Sequence, residues 1–245
     1  MTSLERCLAV LNGEIPDTLP IVPQSFMYAV ETAGFKMADV SRNGRKMAAA
    51  HRISQEKHGY DGCVIDFDDA AIAEAIGARV IYRDTEPAIV DEERPVLKDL
   101  RGVHELEVPD PWTAGRLPEW LEATKTLSDE IGDRVLIMGR ADQGPFSIAC
   151  LLRGMTQFMM DLMTEDRALI ADVLEFGRKC CVAFAKAQNP AGSWRNCAHA
   201  DSLMGRGSVV PQTSKSALKL MPDCGFAAGR EFLSRFGNLR YDGNA

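Results

Sequence analysis

Residues 61–77, DGCVIDFDDAAIAEAIG, place a short apolar run directly before three acidic residues and an Ala-rich segment. The run 63–65 is bounded by Asp-Gly on one side and by acids on the other, which favours a buried strand followed by a helix. Asp66 and Asp68 would then share one face at the end of that strand. In α/β proteins, side chains at the carboxyl ends of strands open onto the crevice where ligands bind. Both carboxylates are therefore candidate site residues.

Helix capping is the alternative role for the acids that follow the strand. Aspartate is a favoured N-cap, and the helix predicted over 70–76 needs only one of them. Asp69 alone would suffice for this purpose. The pattern leaves both interpretations of Asp68 open.

The rest of the chain alternates strand-like and helix-like segments. Strands are predicted at 20–23, 63–65, 78–82, 135–138 and 195–200, and helices at 46–58, 70–76, 117–131 and across most of 146–188. Prolines scattered over 87–118 predict a long excursion within one domain. Such alternation predicts a parallel sheet, either open or closed into a barrel. Four methionines, at 155, 159, 160 and 163, have helical spacing, and we expect them to pack in the core.

Composition excludes several classes of function. The chain of 245 residues has a net charge of −7, which argues against a nucleic-acid or anionic-membrane partner. Glu5 and Arg6 fall where a leader peptide needs apolar residues, and no apolar run reaches membrane-spanning length. Seven cysteines without a CxxC pair fit free thiols in a reducing compartment. The sequence thus predicts a cytoplasmic protein that acts on a small molecule or on another protein.

Between residues 4 and 212, several short sequences occur in an order that is typical of one protein family. They are ER at 5–6, PIVP at 20–23, HGYD at 58–61, AIG at 75–77, GPF at 144–146 and DSLMG at 201–205. This series resembles the uroporphyrinogen decarboxylase superfamily, which also includes methyltransferases that act on methylated corrinoid proteins. The resemblance implies a (β/α)8 barrel of the TIM type, with the site at the carboxyl ends of its strands.

The resemblance also implies roles for individual residues. Asp68 lies where the decarboxylases have an aspartate that hydrogen-bonds the pyrrole N–H groups and stabilises the protonated ring. Ser202 matches a serine of their substrate cleft, and Asp201 replaces the glutamate beside it. Phe146, from the GPF sequence, is expected to contact substrate together with Asp66.

Two departures from the decarboxylase pattern favour the methyltransferase branch. Where the decarboxylases carry an arginine-containing motif that binds substrate carboxylates, this chain has QSFMY at 24–28, which starts with Gln24. Neither glutamine nor serine supplies the charged planar fork of arginine. Leu151 replaces a tyrosine of the cleft. Gln24 remains a candidate substrate-binding residue, and uroporphyrinogen III decarboxylase remains the alternative function.

The methyltransferase branch implies zinc, a corrinoid-protein substrate and methyl transfer to a thiol or a related acceptor. Zinc in that branch is held by a His-x-Cys pair and a further cysteine. This chain has the inverted order Cys197-Ala198-His199, and with Asp201 these side chains would share one strand face. The pattern is compatible with three interpretations: a metal site, a general acid or base at His199, or a purely structural cysteine.

Arg140, after the 135–138 strand, is a further substrate-binding candidate because arginine binds carboxylates. The alternative is a surface ion pair with Asp142 or Glu130.

The last segment lacks the family pattern. We expect an N-terminal part of a barrel over residues 1–212 and an atypical tail over 213–245, since the family's chains are substantially longer. An incomplete barrel exposes sheet edges, which predicts association into homo-oligomers. A non-catalytic truncated remnant or binding module is therefore an alternative to an enzyme.

Overall fold

The computed structural model describes residues 1–66, 68–140 and 144–188. Over these residues the chain is a mixed α/β structure. In order, its elements are α1 (Ser3–Leu11), α2 (Phe26–Thr32), α3 (Met37–Val40), α4 (Gly44–His58), β1 (Gly62–Ile65), α5 (Ala71–Ile76), β2 (Val80–Ile81), β3 (Ile89–Val90), a 3₁₀ helix (Leu100–Glu105), α6 (Leu117–Ile131), β4 (Leu136–Gly139), α7 (Gly144–Arg153), α8 (Met155–Thr164) and α9 (Arg167–Gln188).

Strands β1 and β4 pair in parallel, and this pair positions the site. Gly62 lies opposite Leu136 and Ile65 lies opposite Gly139, so both strands end at the same edge. Parallel neighbours need a long crossover, and here it contains α5, β2, β3 and α6. The strands predicted at 63–65 and 135–138 and the helix predicted at 117–131 are confirmed. Within the described ranges the strands do not close into a barrel.

The strand predicted at 20–23 does not form. The segment contacts the residue before β1, where the Asp61 N–H donates to the Ile21 carbonyl at 2.7 Å. Pro20 and Pro23 have no N–H to donate, so a regular ladder cannot extend along this segment. The strand predicted at 195–200 lies outside the described residues.

The strand predicted at 78–82 forms, but not within the parallel sheet. Val80 and Ile81 pair antiparallel with Val90 and Ile89 in a two-stranded hairpin. The two strands are short, and Ile81 and Ile89 are exposed. The hairpin thus belongs to the excursion between β1 and β4.

Helices cover the parallel pair and supply most of the core. Helix α6 packs against α4, α9, β1 and β4, and its residues Leu117, Leu127 and Ile131 are fully buried. Cys180 and Cys181 of α9 are buried and form no disulfide, which indicates a packing role. No helix in the described part of the chain has both the length and the apolarity needed to cross a membrane.

The expectation that the four methionines of α8 lie in the core is wrong. Met155, Met159, Met160 and Met163 are 50% to 83% exposed. The inward side of this short helix is occupied instead by Phe158 and by the buried Asp161, which binds Arg153 at 2.6 Å. Helical spacing identified a common surface, but not the side of the helix that faces the core.

We expect Gly44→Ala to destabilise the protein by about 1–3 kcal/mol, because α4 and α6 approach closely at this glycine. A Cβ atom here would lie 2.4 Å from the Glu119 carbonyl oxygen and 2.9 Å from Glu122 Cβ. Gly102→Ala is the matched control, since its added Cβ would meet only Leu97 Cδ2 at an ordinary 3.5 Å. Urea denaturation measures both; equal stability of the two variants would contradict the close approach.

Candidate active site at the ends of two parallel strands

Asp66 follows β1 and Arg140 follows β4, so the two side chains meet at the edge where both strands end. The Arg140 guanidinium binds Asp66 Oδ2, and its second Nη donates to Asp69 Oδ1 at 3.2 Å. Gln24, from the segment before α2, donates its amide N–H to Asp66 Oδ2 at 2.7 Å. We call these four residues the Asp66 cluster. It unites three residues that the sequence predicted as substrate-binding, namely Asp66, Gln24 and Arg140.

Asp66 is the buried centre of this cluster. Its side chain is 0% exposed, whereas that of Asp69 is 64% exposed and Gln24 lies at the surface. Burial raises the pKa of the Asp66 carboxyl to about 6, against the opposing effects of Arg140 and Gln24, while Asp69 adds to the increase. The second oxygen, Oδ1, is buried without a hydrogen-bond partner among the described residues. An ionised oxygen in that position is costly, so the carboxyl keeps its proton up to about pH 6 and is ionised above it.

Asp68 occupies a different environment from Asp66. Its Oδ1 and Oδ2 accept from the Arg116 guanidinium at 2.5 and 2.6 Å, in a bidentate pair. Oδ1 also accepts from the Ala70 N–H at 2.9 Å, two residues along the chain. The capping role considered for Asp68 and Asp69 is wrong, because the N-cap of α5 is Ala70, which has no side-chain cap hydrogen bond. Arg116 and Asp68 are 5% and 0% exposed.

The ion pair of Asp68 extends into a wider network. Arg116 Nε donates to Glu74 Oε2 at 2.5 Å, and the Tyr82 hydroxyl donates to Glu74 Oε1 at 2.5 Å. Burial opposes the charge of Arg116, but the bonds to Asp68 raise the pKa of its guanidinium above the ordinary value. Burial, followed by the bond to Glu74, raises the pKa of the Tyr82 hydroxyl. The network fixes the loop after β1 to α5 and to the start of α6.

Arg116 and Glu74 were not predicted from the sequence. Arg116 lies at the end of the proline-containing excursion, 48 positions from Asp68, without any periodic pattern around it. The one available signal for Glu74 was an acid on the predicted helix 70–76. The alternative role predicted for Arg140 was an ion pair with Asp142 or Glu130. Arg140 does form ion pairs, but with Asp66 and Asp69. Glu130 pairs with Arg52 instead. The other predicted partner, Asp142, lies outside the described residues.

Phe146, a further predicted site residue, is not part of the Asp66 cluster. Phe146 packs partly into the core and meets Phe158 edge-on, with ring centroids 5.7 Å apart. Cys197, His199, Asp201 and Ser202 lie outside the described residues. A cavity of 380 Å³ near the start of α8 involves Lys98, Arg153 and Gln157 but no member of the Asp66 cluster. Because Arg153 and Gln157 both bind Asp161, we assign them a structural role.

Zinc does not fit the donor groups that the structure describes. Over residues 1–66, 68–140 and 144–188, no group of three or more His, Cys, Asp or Glu side chains is placed to hold a metal ion. The buried thiols there are also poor ligands as they stand, since burial raises the pKa of Cys63 to about 12 and that of Cys150 to about 11. We therefore derive no step through a metal.

Comparisons with known proteins agree with this architecture. A family model described as uroporphyrinogen decarboxylase (URO-D) matches residues 2–200. Among solved structures, a methyltransferase from Methanosarcina mazei is similar with a TM-score of 0.71 and 23% identity, over 92% of this chain and 74% of that one. Curated protein sequences gave no match. The match and the structural likeness imply an α/β fold of the TIM-barrel type.

Proposed function

Because the chain belongs to the uroporphyrinogen decarboxylase family, we propose that it is an enzyme of the methyltransferase-like branch of that superfamily. In this proposal it transfers a methyl group from a methylated corrinoid protein to a thiol or a related acceptor. The site is the Asp66 cluster at the carboxyl ends of β1 and β4, where barrel enzymes bind their substrates.

The charge of the Asp66 cluster is the observation that carries this proposal. Its one guanidinium, from Arg140, already binds two carboxylates, and the position expected for a substrate-binding arginine is occupied by Gln24. A porphyrinogen with several carboxylates needs cationic partners of the bidentate kind. With two acids and one base among its described members, the cluster repels such a substrate and suits a neutral thiol better.

The environment of Asp68 supports the same branch. In decarboxylases the corresponding aspartate must accept hydrogen bonds from pyrrole N–H groups. Here both Asp68 oxygens are engaged by Arg116, and the side chain is fully buried. Decarboxylation would require this ion pair to open, at the cost of leaving two charges buried and unpaired. The structural neighbour is itself described as a methyltransferase.

A parallel assay of the two reactions tests the proposal. We expect the purified chain to transfer the methyl group of methylcobalamin to 2-mercaptoethanol, followed by the absorbance change of the corrinoid, and to leave uroporphyrinogen III unchanged in chromatography. Heat-denatured chain is the control. Loss of carboxylates from uroporphyrinogen III would instead establish the decarboxylase alternative. Inactivity in both assays, with heavy association in size-exclusion chromatography, would favour the non-catalytic remnant or binding module.

The zinc proposal for the segment after α9 is tested separately. Cys197 and His199 are proposed as ligands, Ser202 as a catalytic residue and Asp201 as a substrate-binding residue. Zinc content is measured by elemental analysis in the wild type and in Cys197→Ser and His199→Gln variants. Stoichiometric zinc that is lost in both variants supports these ligands, and equal zinc content in all three chains rejects them.

A further inference from the structure

The two aspartates after β1 differ in what their oxygens can still bind. Asp68 accepts three hydrogen bonds, from two Arg116 nitrogens and the Ala70 N–H. A bidentate pair of this kind, buried on both sides, is a poor partner for any incoming group, because opening it exposes two desolvated charges. In this chain Asp68 therefore connects elements of the fold.

Asp66 has the opposite properties. Oδ2 accepts from Gln24 and Arg140, but Oδ1 has no partner among the described residues and is buried. The Gln24 side chain that contacts Oδ2 is exposed. A substrate group that approaches along the Gln24 side chain would therefore meet the Asp66 carboxyl. A buried polar atom without a partner is rare enough in folded proteins to require an explanation.

We propose that Asp66, rather than Asp68, is the carboxyl group that meets the substrate, and that it accepts the proton of the thiol acceptor. This inference rests on the proposed function. Asp66 is the catalytic residue, because it touches the reacting thiol. Gln24 and Arg140 are positioning residues, because they hold the carboxyl through Oδ2 and leave Oδ1 for the proton.

The step balances as follows. The S–H bond of the thiol breaks, and its proton goes to Asp66 Oδ1. A sulfur electron pair forms the new S–C bond to the methyl group. The bond between the methyl group and its corrinoid donor breaks, and its electron pair leaves with the donor. The products are a thioether, the demethylated donor with two more electrons, and protonated Asp66, which releases its proton to solvent.

The charges around Asp66 suit a proton acceptor near neutral pH. Burial raises its pKa to about 6, Arg140 and Gln24 oppose this increase, and Asp69 on the same loop adds to it. Among the described residues, these are the groups with the largest effects on the Asp66 carboxyl. A general base works best when its pKa is close to the operating pH, and an ordinary aspartate, near 3.9, is too weak.

Variant kinetics provide the first test. Wild type, Asp66→Asn and Asp84→Asn are compared in methyl transfer from methylcobalamin to 2-mercaptoethanol between pH 5 and 8. Asp84 forms an exposed pair with Lys36 and controls for the loss of one carboxylate. We expect Asp66→Asn to lower the rate at least about 100-fold and to abolish the rise of the rate through pH 6. A folded Asp66→Asn variant with the wild-type rate and pH profile would overturn the inference, while the proposed function would stand.

Carbon-13 NMR of the chain labelled at aspartate Cγ provides a test that does not depend on turnover. The Asp66 resonance is identified by its absence from Asp66→Asn. We expect it to titrate near pH 6 and to move when 2-mercaptoethanol is added. If the wild type transfers no methyl group, the proposed function fails. The titration and the response to the thiol then decide by themselves whether Asp66 is the carboxyl that meets a thiol. A midpoint near pH 4, or no response to the thiol, would reject Asp66 as the proton acceptor.

Discussion

Replacing Arg116 by alanine is expected to lower the free energy of unfolding by about 3–5 kcal/mol, the cost of leaving a buried charge without its partner. Arg116 is 5% exposed and makes a bidentate pair with Asp68, which is 0% exposed. It also binds Glu74 at 2.5 Å and the Ser41 carbonyl at 3.2 Å. Removal of the guanidinium would leave the Asp68 carboxylate buried without a charged partner. It would also remove the ion pair that joins the loop after β1 to the start of α6.

Urea denaturation at pH 7, followed by far-UV circular dichroism, measures this loss. The matched control is Arg83→Ala, because Arg83 pairs with Glu86 at the surface, and such pairs contribute less than about 1 kcal/mol. A double variant, Arg116→Met with Asp68→Asn, should regain part of the stability, since the fully buried Asp68 position then no longer carries an unpaired charge, and only the partly exposed Glu74 loses its cation. Equal stabilities of Arg116→Ala and Arg83→Ala would show that the Asp68 pair is not buried in solution.

The position of the cluster was predictable because it depends on a few strong local patterns. The run 63–65 and the 135–138 segment are short and apolar, and each ends in polar residues, as buried parallel strands do. Parallel strands end at one edge, so the rule that places sites at this edge brings Asp66 and Arg140 together. The helix predicted at 117–131 has the same bounds in the structure as α6. Here local propensity and tertiary packing agree.

Pairing between distant side chains could not be predicted. Asp66 and Asp68 both follow β1, and sequence assigned the central role to Asp68 by resemblance. The difference between them arises from Arg116, which reaches Asp68, and from Arg140, which reaches Asp66. Neither partner is marked by spacing, because side-chain pairs across a fold have no fixed separation along the chain. For the same reason, the alternation of strands indicated β2 but not its antiparallel partner β3.

The stability of the wild type should fall, relative to Asp66→Asn, by about 3 kcal/mol as the pH rises from below 4 to above 6. The folded-state pKa of Asp66 is raised to about 6, against about 3.9 in an unfolded chain. Between these values the folded protein holds a proton that the unfolded chain has released, so stability decreases with rising pH. A difference of about two pKa units corresponds to about 3 kcal/mol, at 1.36 kcal/mol per unit. Asparagine does not titrate, so the stability of Asp66→Asn does not change with pH through this group.

Urea denaturation of both chains at several pH values between about 3 and 7.5 gives the difference directly, and the titrations of other groups largely cancel in it. Asp84→Asn again controls for the loss of one negative charge at the surface. A pH-independent difference between wild type and Asp66→Asn would mean that Asp66 titrates alike in the folded and unfolded states. If the expected slope is found, the chain retains at neutral pH a buried carboxylate that lowers its own stability. Packing does not explain such a residue, whereas proton transfer at the carboxyl end of β1 does.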